Sequence, residues 1–408
     1  MRRTLIVGGG AAGMTAAIAA AREGDAVTLL EHTDTLGKKI LSTGNGRCNL
    51  TNRRQGEEFY HSENPGFPFP ALDRFGFEET LRFFGELGLF FRERDGYVYP
   101  RSLQAKAVRE SLISELSRKT VEIRTGCRIH KAEKMAGGTF LIETEETSFE
   151  ADALILACGG MAAPHTGSDG SGYRLAESLG HRLIPPVPAL TGLFAASNPL
   201  KKAAGVRTEG TISLYVEENG KRRLLGSDTG ELQITDYGIS GIPAFQVSRH
   251  GARALSEGKT VSASLNFLPE YRKEEAEELL LHLLSGEGDA LRILCGLFPE
   301  KLAAVFLKKA GIPLRVPAGL LGEKRAKTLS GLVCRFPLEI RAVNDFSKAQ
   351  VTAGGVDTRD VRAETMESEL VSGLYFAGEI LDVDASCGGY NLQWAWASGF
   401  LAGKQGRP

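Results

Sequence analysis

The chain has 408 residues, 42% hydrophobic and 24% charged, a mix expected of a globular enzyme with more than one core. Its 49 Lys and Arg against 50 Asp and Glu leave a formal charge of -1, so nothing in the balance selects a nucleic-acid partner. The six cysteines form no CxxC pair and the seven histidines no HExxH motif, which sets aside a disulfide framework and a metal centre and implies reduced thiols in the cytoplasm.

Two arginines and an apolar run open the chain, but glycines interrupt that run, so it reads as a strand and turn rather than a targeting segment. No window is long and apolar enough to cross a bilayer. Thr4–Val7 is a short apolar strand, Gly8–Gly13 a turn, Met14–Glu23 an alanine-rich helix stopped by Gly24, and Ala26–Leu30 a second strand. Together they form a βαβ unit. Residues 36–52 (LGKKILSTGNGRCNLTN) read as a polar, glycine-rich loop. Helices are predicted at Phe75–Leu87 and Ser102–Leu116, and a small antiparallel sheet from Val121–Arg124 and Thr139–Ile142. Ala153–Ala157 is again an apolar strand, followed by a glycine loop and a helix over Tyr173–Leu179.

After Pro185-Pro186-Val187-Pro188 the texture changes. The pattern is strand-rich over 189–269 and mainly helical over 270–339, with helices at Glu274–Leu284, Asp289–Leu297 and Glu300–Lys309. Apolar strand character returns from 340, and Gly388–Leu401 is the last helix. The expected organisation is an α/β chain: a first nucleotide-binding part over 1–188, an insertion over 189–339, and a C-terminal part over 340–408.

The motif Gly8-x-Gly10-x-x-Gly13 follows a strand, opens a helix and has Glu31 at the end of the next strand. Gly8 permits the tight turn, Gly10 lets a pyrophosphate touch the backbone, and Gly13 lets helix and strand lie close. The amides of Ala11, Ala12 and Gly13 would then face the phosphates at the positive end of the helix. Glu31 is placed for the hydroxyls of an adenosine ribose and would repel a 2′-phosphate. Leu154–Gly160, ending in Cys158-Gly159-Gly160, is similar to the second fingerprint of FAD-binding reductases. LYFAGE, ending in Gly378-Glu379, is similar to the third, where the acid meets the ribityl hydroxyls. Gly389, Tyr390, Asn391 and Leu392 open the last helix, whose amides would face the flavin pyrimidine.

The stretches GGGAAG, GKKILSTGNGRCNLTN, TGSDGSGYRLAESLGH, VTAGGV and TMESELVSGLYFAGEILDVDASCGGYNLQWAWASG resemble the BaiN-like flavoprotein family, also described as aminoacetone oxidase family FAD-binding enzymes or NAD(P)/FAD-dependent oxidoreductases. The resemblance implies a Rossmann-type FAD domain with an inserted β-barrel-like and small helical domain. It also implies that Lys39, Asn45, Gly46, Arg47, Cys48 and Asn49 line the cofactor, and that the backbone of Cys127 meets the adenine. The expected function is an FAD-dependent oxidoreductase acting on a small organic substrate. Two reactions stay open: oxidation of an amine with O₂, and reduction of a conjugated C=C bond with transiently bound NADH or NADPH. GSDGSG follows no apolar strand, so a dedicated NAD(P)H domain is not expected. A third reading is a flavin-containing binding or regulatory protein. The pattern leaves the oligomeric state and the catalytic acid or base undetermined.

Other residues have plainer readings. Cys48 and Cys387 are packing thiols, His165 lies on an exposed loop, and Arg92–Asp95 is a solvated turn. One of Asp382 and Asp384 caps the last helix. Tyr237, in TDYGISG, is a candidate substrate contact.

Overall fold

The computed structural model describes residues 1–218 and 220–407. Two compact units divide the chain: Met1–Pro186 with Gln350–Pro408, and Val187–Ala349.

The first unit is built on a five-stranded parallel sheet in the order Leu374–Phe376, Ala153–Leu156, Arg3–Val7, Ala26–Leu30, Glu122–Arg124. Its central strands are apolar on both faces, as expected of a parallel sheet inside a unit; every residue of Ala153–Leu156 is fully buried. Sequence pattern pairs Val121–Arg124 with Thr139–Ile142. The structure instead sets Glu122–Arg124 on the edge of the parallel sheet beside Ala26–Leu30. The antiparallel sheet comprises Ile129–Lys134, Phe140–Thr144 and Ser148–Ala151.

The first helix, Ala11–Arg22, starts three residues earlier than its pattern suggests and crosses the last helix, Tyr390–Lys404. A Cβ on Gly399 would lie 2.4 Å from the Ala12 carbonyl oxygen, and one on Gly403 2.3 Å from that of Ala16. Small residues on both helices therefore let the two backbones touch. The helix expected over Phe75–Leu87 is Phe77–Glu86, and a separate short helix, Phe69–Arg74, precedes it. Gly76 forms the break: a Cβ there would meet the Leu72 carbonyl oxygen at 2.8 Å, and its own N–H donates to Glu79. The loop over 36–52 contains a short helix, Lys38–Ser42, a 3-10 turn, Thr43–Gly46, and a strand, Thr51–Asn52.

The second unit holds a closed antiparallel barrel of six strands: Leu193–Ala195, Gly238–Ser240, Lys221–Ile234, Arg207–Glu218, Val261–Asn266 and Phe336–Val343. Its alternating residues Ile212, Leu214, Val216, Val261, Ala263 and Leu265 belong to one buried cluster with helices Ile242–Ser256, Lys273–Leu284, Glu300–Lys309 and Gly322–Cys334. The strand Phe336–Val343 closes the barrel, so the apolar character returning at 340 belongs to this unit and not to the C-terminal nucleotide-binding part. Ile242–Ser256, inside the strand-rich stretch, is a helix introduced by Gly241 at φ +99° and by Pro243 in its first turn. Among the described residues no helix is long and apolar enough to cross a membrane, and no cluster of three metal-binding side chains occurs.

His181 is 3% exposed beneath the parallel sheet, edge-on to Phe376 at 4.6 Å. Ser368 Oγ already accepts N–H groups from Leu370 and Val371, so its hydroxyl donates to His181 Nε2 at 2.7 Å. The ring is thus neutral with its proton on Nδ1, and burial lowers its pKa against a weaker opposite pull from Asp360. A lowered folded-state pKa leaves stability unaffected above the ordinary value of 6.5 and erodes it as pH falls below that value. The expected slope is at most about 1.4 kcal/mol per pH unit. Urea denaturation of the apoprotein between pH 7 and 5 should show this slope, and His181→Gln should flatten it. An equal slope in both proteins would remove His181 as its source.

Candidate nucleotide and redox site

The glycine turn after the first strand is dictated by backbone contacts. Gly8 has φ +105°, and a Cβ there would sit 2.4 Å from the Ala157 carbonyl oxygen. A Cβ on Gly13 would sit 1.8 Å from the Gly8 carbonyl oxygen. Gly10 differs, because its Cβ direction meets no atom within 4 Å. The first helix has no side-chain cap and no acid in its first turn, and the Met14 N–H donates to the Gly10 carbonyl at 3.0 Å. The amides of Ala11, Ala12 and Gly13 precede that bond, beside the open space at Gly10. An anion fits there.

Glu31 is 7% exposed, and its carboxylate accepts from the Gly9 amide at 2.8 Å and the Thr33 amide at 2.7 Å. Each oxygen keeps a further lone pair with which to accept a hydrogen bond. His32 lies between Glu31 and Asp169, at 3.4 and 3.9 Å. The Asp169 carboxyl is held down at about 2: burial opposes the ionised form, but hydrogen bonds from Ser171 and Arg128 outweigh it. Cys127 gives its N–H to the Glu31 carbonyl at 2.9 Å, which places its backbone beside this acid.

The segment after the short helix Lys38–Ser42 is a run of left-handed residues: Gly44 at φ +55°, Asn45 at +53°, Gly46 at +80° and Cys48 at +57°. Two non-glycine residues held there in one turn are a sign of a functional constraint. Arg47 is exposed and has no ion pair among the described residues. Cys48 is fully buried, and burial pushes its thiol up to about 12. Cys158 is likewise raised to about 12, by burial first and then by Glu31 and Asp169. Neither is an activated thiol.

Segments distant in sequence converge on Glu379. Lys39 Nζ donates to its Oε2 at 2.7 Å, and the Thr352 amide donates to its Oε1 at 2.9 Å. Gly160 lies against this pair: a Cβ there would be 2.4 Å from Thr352 Oγ1 and 3.0 Å from Glu379 Oε1. Gly159 takes φ +73°, and Gly378 φ +77° with Ala12 Cβ 2.8 Å from its missing side chain. Thr352 was not picked out as an individual residue from the sequence, although VTAGGV flags its strand. Tyr173 was also missed. It is 4% exposed, its hydroxyl has no hydrogen-bond partner among the described residues, and burial with the Glu379 and Asp382 carboxylates keeps it protonated.

The last helix presents a second uncapped N-terminus without an acid in its first turn. Its N-cap is Gly389 at φ +97°, so neither Asp382 nor Asp384 caps it, which corrects the sequence reading. Both are 1% exposed; Asp382 accepts from the Glu63 amide at 2.8 Å, and Asp384 lies in a strand pair with His61. A Cβ on Gly389 would come 3.0 Å from Asn49 Oδ1, a buried oxygen with no partner among the described residues. This orphaned acceptor and the free helix end form a second polar opening, suited to a ring edge with donors and acceptors. Tyr390 and Asn391 act locally: Tyr390 stacks on Phe59 at 4.4 Å, and Asn391 clamps both backbone groups of Ala385. Leu392 is half-buried behind them.

Elsewhere, His165 is exposed in a 3-10 turn. Arg92, Glu93 and Arg94 are exposed too, but in a strand pairing with Tyr97–Pro100 rather than in a turn. Within the second unit Tyr237 stacks on Phe194 at 4.5 Å and accepts from Asn344 at 3.4 Å.

Residues 2–405 match the family described as HI0933-like protein Rossmann domain. The chain belongs to this family. It is 48% identical over 408 residues to a 3-dehydro-bile acid delta(4,6)-reductase of Clostridium scindens, covering 99% of this chain and 98% of that one. It is 30% identical over 403 residues to a ribosomal RNA dihydrouridine synthase of Haemophilus influenzae, covering 97% and 96%. A solved 3-ketosteroid-delta4-(5alpha)-dehydrogenase from Rhodococcus jostii RHA1 aligns with a TM-score of 0.45 at 15% identity, over 98% and 96% of the two chains. This member of the HI0933-like family is an FAD-dependent oxidoreductase of a small organic substrate.

Proposed function

We propose that the enzyme reduces a carbon–carbon double bond conjugated to a carbonyl, with electrons from a nicotinamide dinucleotide that visits the flavin. The observation that carries this reading is the 48% identity, end to end, with a protein named as a reductase of such a bond. The dihydrouridine synthase relative supports the same chemistry, since dihydrouridine is uridine with one conjugated C=C bond reduced. The site fits FAD. Glu31 would bind the adenosine ribose, the backbone of Cys127 would border the adenine, and the amides of Ala11–Gly13 with Arg47 would hold the pyrophosphate. Lys39 and Glu379 would hold the ribityl chain beside Gly160. Asn49 and the amides of Tyr390–Leu392 would meet the flavin pyrimidine, with Asn45, Gly46 and Cys48 shaping the turn around it. Bound there, FAD supplies the hydride chemistry. The last helix places its positive end where negative charge develops during reduction. The described parallel sheet contains one strand–glycine turn–helix unit of this kind, which supports transient rather than resident nicotinamide.

Anaerobic titration with NADH and then NADPH should bleach the visible flavin band. Adding an α,β-unsaturated ketone, such as a 3-oxo-Δ4 steroid, should restore it and yield a product two hydrogens heavier. A flavin that neither nicotinamide bleaches, in a protein that oxidises amines with O₂, overturns the proposal.

A further inference from the structure

Thr352 does two things at once. It is fully buried on the strand Val351–Val356. Its amide donates to Glu379 Oε1 at 2.9 Å, while its Oγ1 accepts two consecutive amides, Met161 at 2.8 Å and Ala162 at 3.1 Å. The second glycine of the Gly159-Gly160 turn exists to admit this side chain, because any Cβ at 160 would overlap Thr352 Oγ1 at 2.4 Å. Thr352 therefore locks two separate strand ends in register, the one leaving Ala153–Leu156 and the one leaving Leu374–Phe376. Lys39 alone cannot do this, since it reaches only Glu379 Oε2. A valine of the same shape would keep the amide bond to Glu379 but leave the Met161 and Ala162 amides without an acceptor in a buried site.

We infer that Thr352 is a positioning residue, whose hydroxyl holds the Gly160–Ala162 turn against Glu379 so that both present a fixed face to the flavin's ribityl chain. The inference rests on the FAD placement proposed above. Thr352→Val should weaken FAD binding to the apoprotein by about 10- to 100-fold and alter the visible absorption envelope of the bound flavin. Thr352→Ser should return both to near the wild-type values. If the valine variant does not fold, Thr352→Cys carries the same expectation. Because the hydroxyl holds the turn that packs Gly160 against Glu379, combining Thr352→Val with Glu379→Ala should cost less than the product of the single losses. Wild-type affinity in the valine or cysteine variant, or losses that multiply, overturns the role of Thr352. Failure of the wild-type apoprotein to take up FAD instead overturns the cofactor placement itself, a separate and distinguishable result.

Discussion

Gly13→Ala should give a protein that no longer retains flavin, with affinity for FAD reduced more than about 100-fold. The new methyl group would lie 1.8 Å from the Gly8 carbonyl oxygen and 3.4 Å from Ala157 Cβ. Gly8 cannot retreat: its N–H is bonded to the Leu30 carbonyl at 2.8 Å, and the space beside it is filled by the Ala157 carbonyl. The first helix must then move away from the sheet, carrying the amides of Ala11 and Ala12 out of reach of a pyrophosphate. Overpacking of this kind costs about 1–3 kcal/mol, and a backbone obstacle puts the change at the upper end. Gly10→Ala is the matched control, because its Cβ meets no protein atom within 4 Å. That variant should keep apoprotein stability within about 0.5 kcal/mol yet still lose FAD, since only the pyrophosphate approaches there. Denaturation and FAD titration of both apoproteins check the pair. Normal FAD binding by Gly10→Ala would move the pyrophosphate elsewhere.

The contrast between these glycines shows which parts of the site were legible in the sequence. Gly8 and Gly13 answer to backbone geometry a few residues away or across one sheet, and such needs leave a local pattern of small residues. The flanking strand, helix and strand were legible for the same reason: each has its own period and a glycine stop. Pairings between distant segments leave no such mark. Lys39 finds Glu379 across 340 positions, and Thr51 finds Gln393 across 342. Glu122–Arg124 joins the parallel sheet because the neighbouring edge is vacant there, while its three residues look like any short strand. The helix Ile242–Ser256 was hidden for a further reason: it packs with the barrel strands in one core, and its buried face carries Ala244, Ser248, Gly251 and Ala252, too small and too polar for a plain apolar stripe. Its entry signals, Gly241 and Pro243, were present but look the same as a hairpin turn.

Gln393→Leu should cost about 3–5 kcal/mol of stability, a large share of the usual total of about 5–15 kcal/mol, and weaken FAD binding with it. Gln393 is fully buried on the last helix, and its amide serves three groups. Its Oε1 accepts from Thr51 Oγ1 at 2.6 Å and Thr80 Oγ1 at 3.0 Å, and its Nε2 donates to the Phe75 carbonyl at 2.9 Å. Leucine fills the volume but strands two hydroxyls and a carbonyl away from water, at about 1–3 kcal/mol for each group that cannot turn to another partner. Thr80→Val removes only one partner and leaves the amide otherwise paired, so about 1 kcal/mol is expected. The consequence for the flavin follows from position. Gln393 lies one residue beyond Leu392, and with Trp396, whose indole N–H donates to the Leu50 carbonyl at 2.9 Å, it ties the first turn of the helix to the segment carrying Asn49. Loosening that tie should separate the orphaned Asn49 oxygen from the free helix end. Urea denaturation and FAD titration should therefore change together in Gln393→Leu, where Gly10→Ala separates them. A loss below about 1 kcal/mol with normal FAD affinity would mean that the Gly399 and Gly403 seam against Ala12 and Ala16 holds the helix by itself.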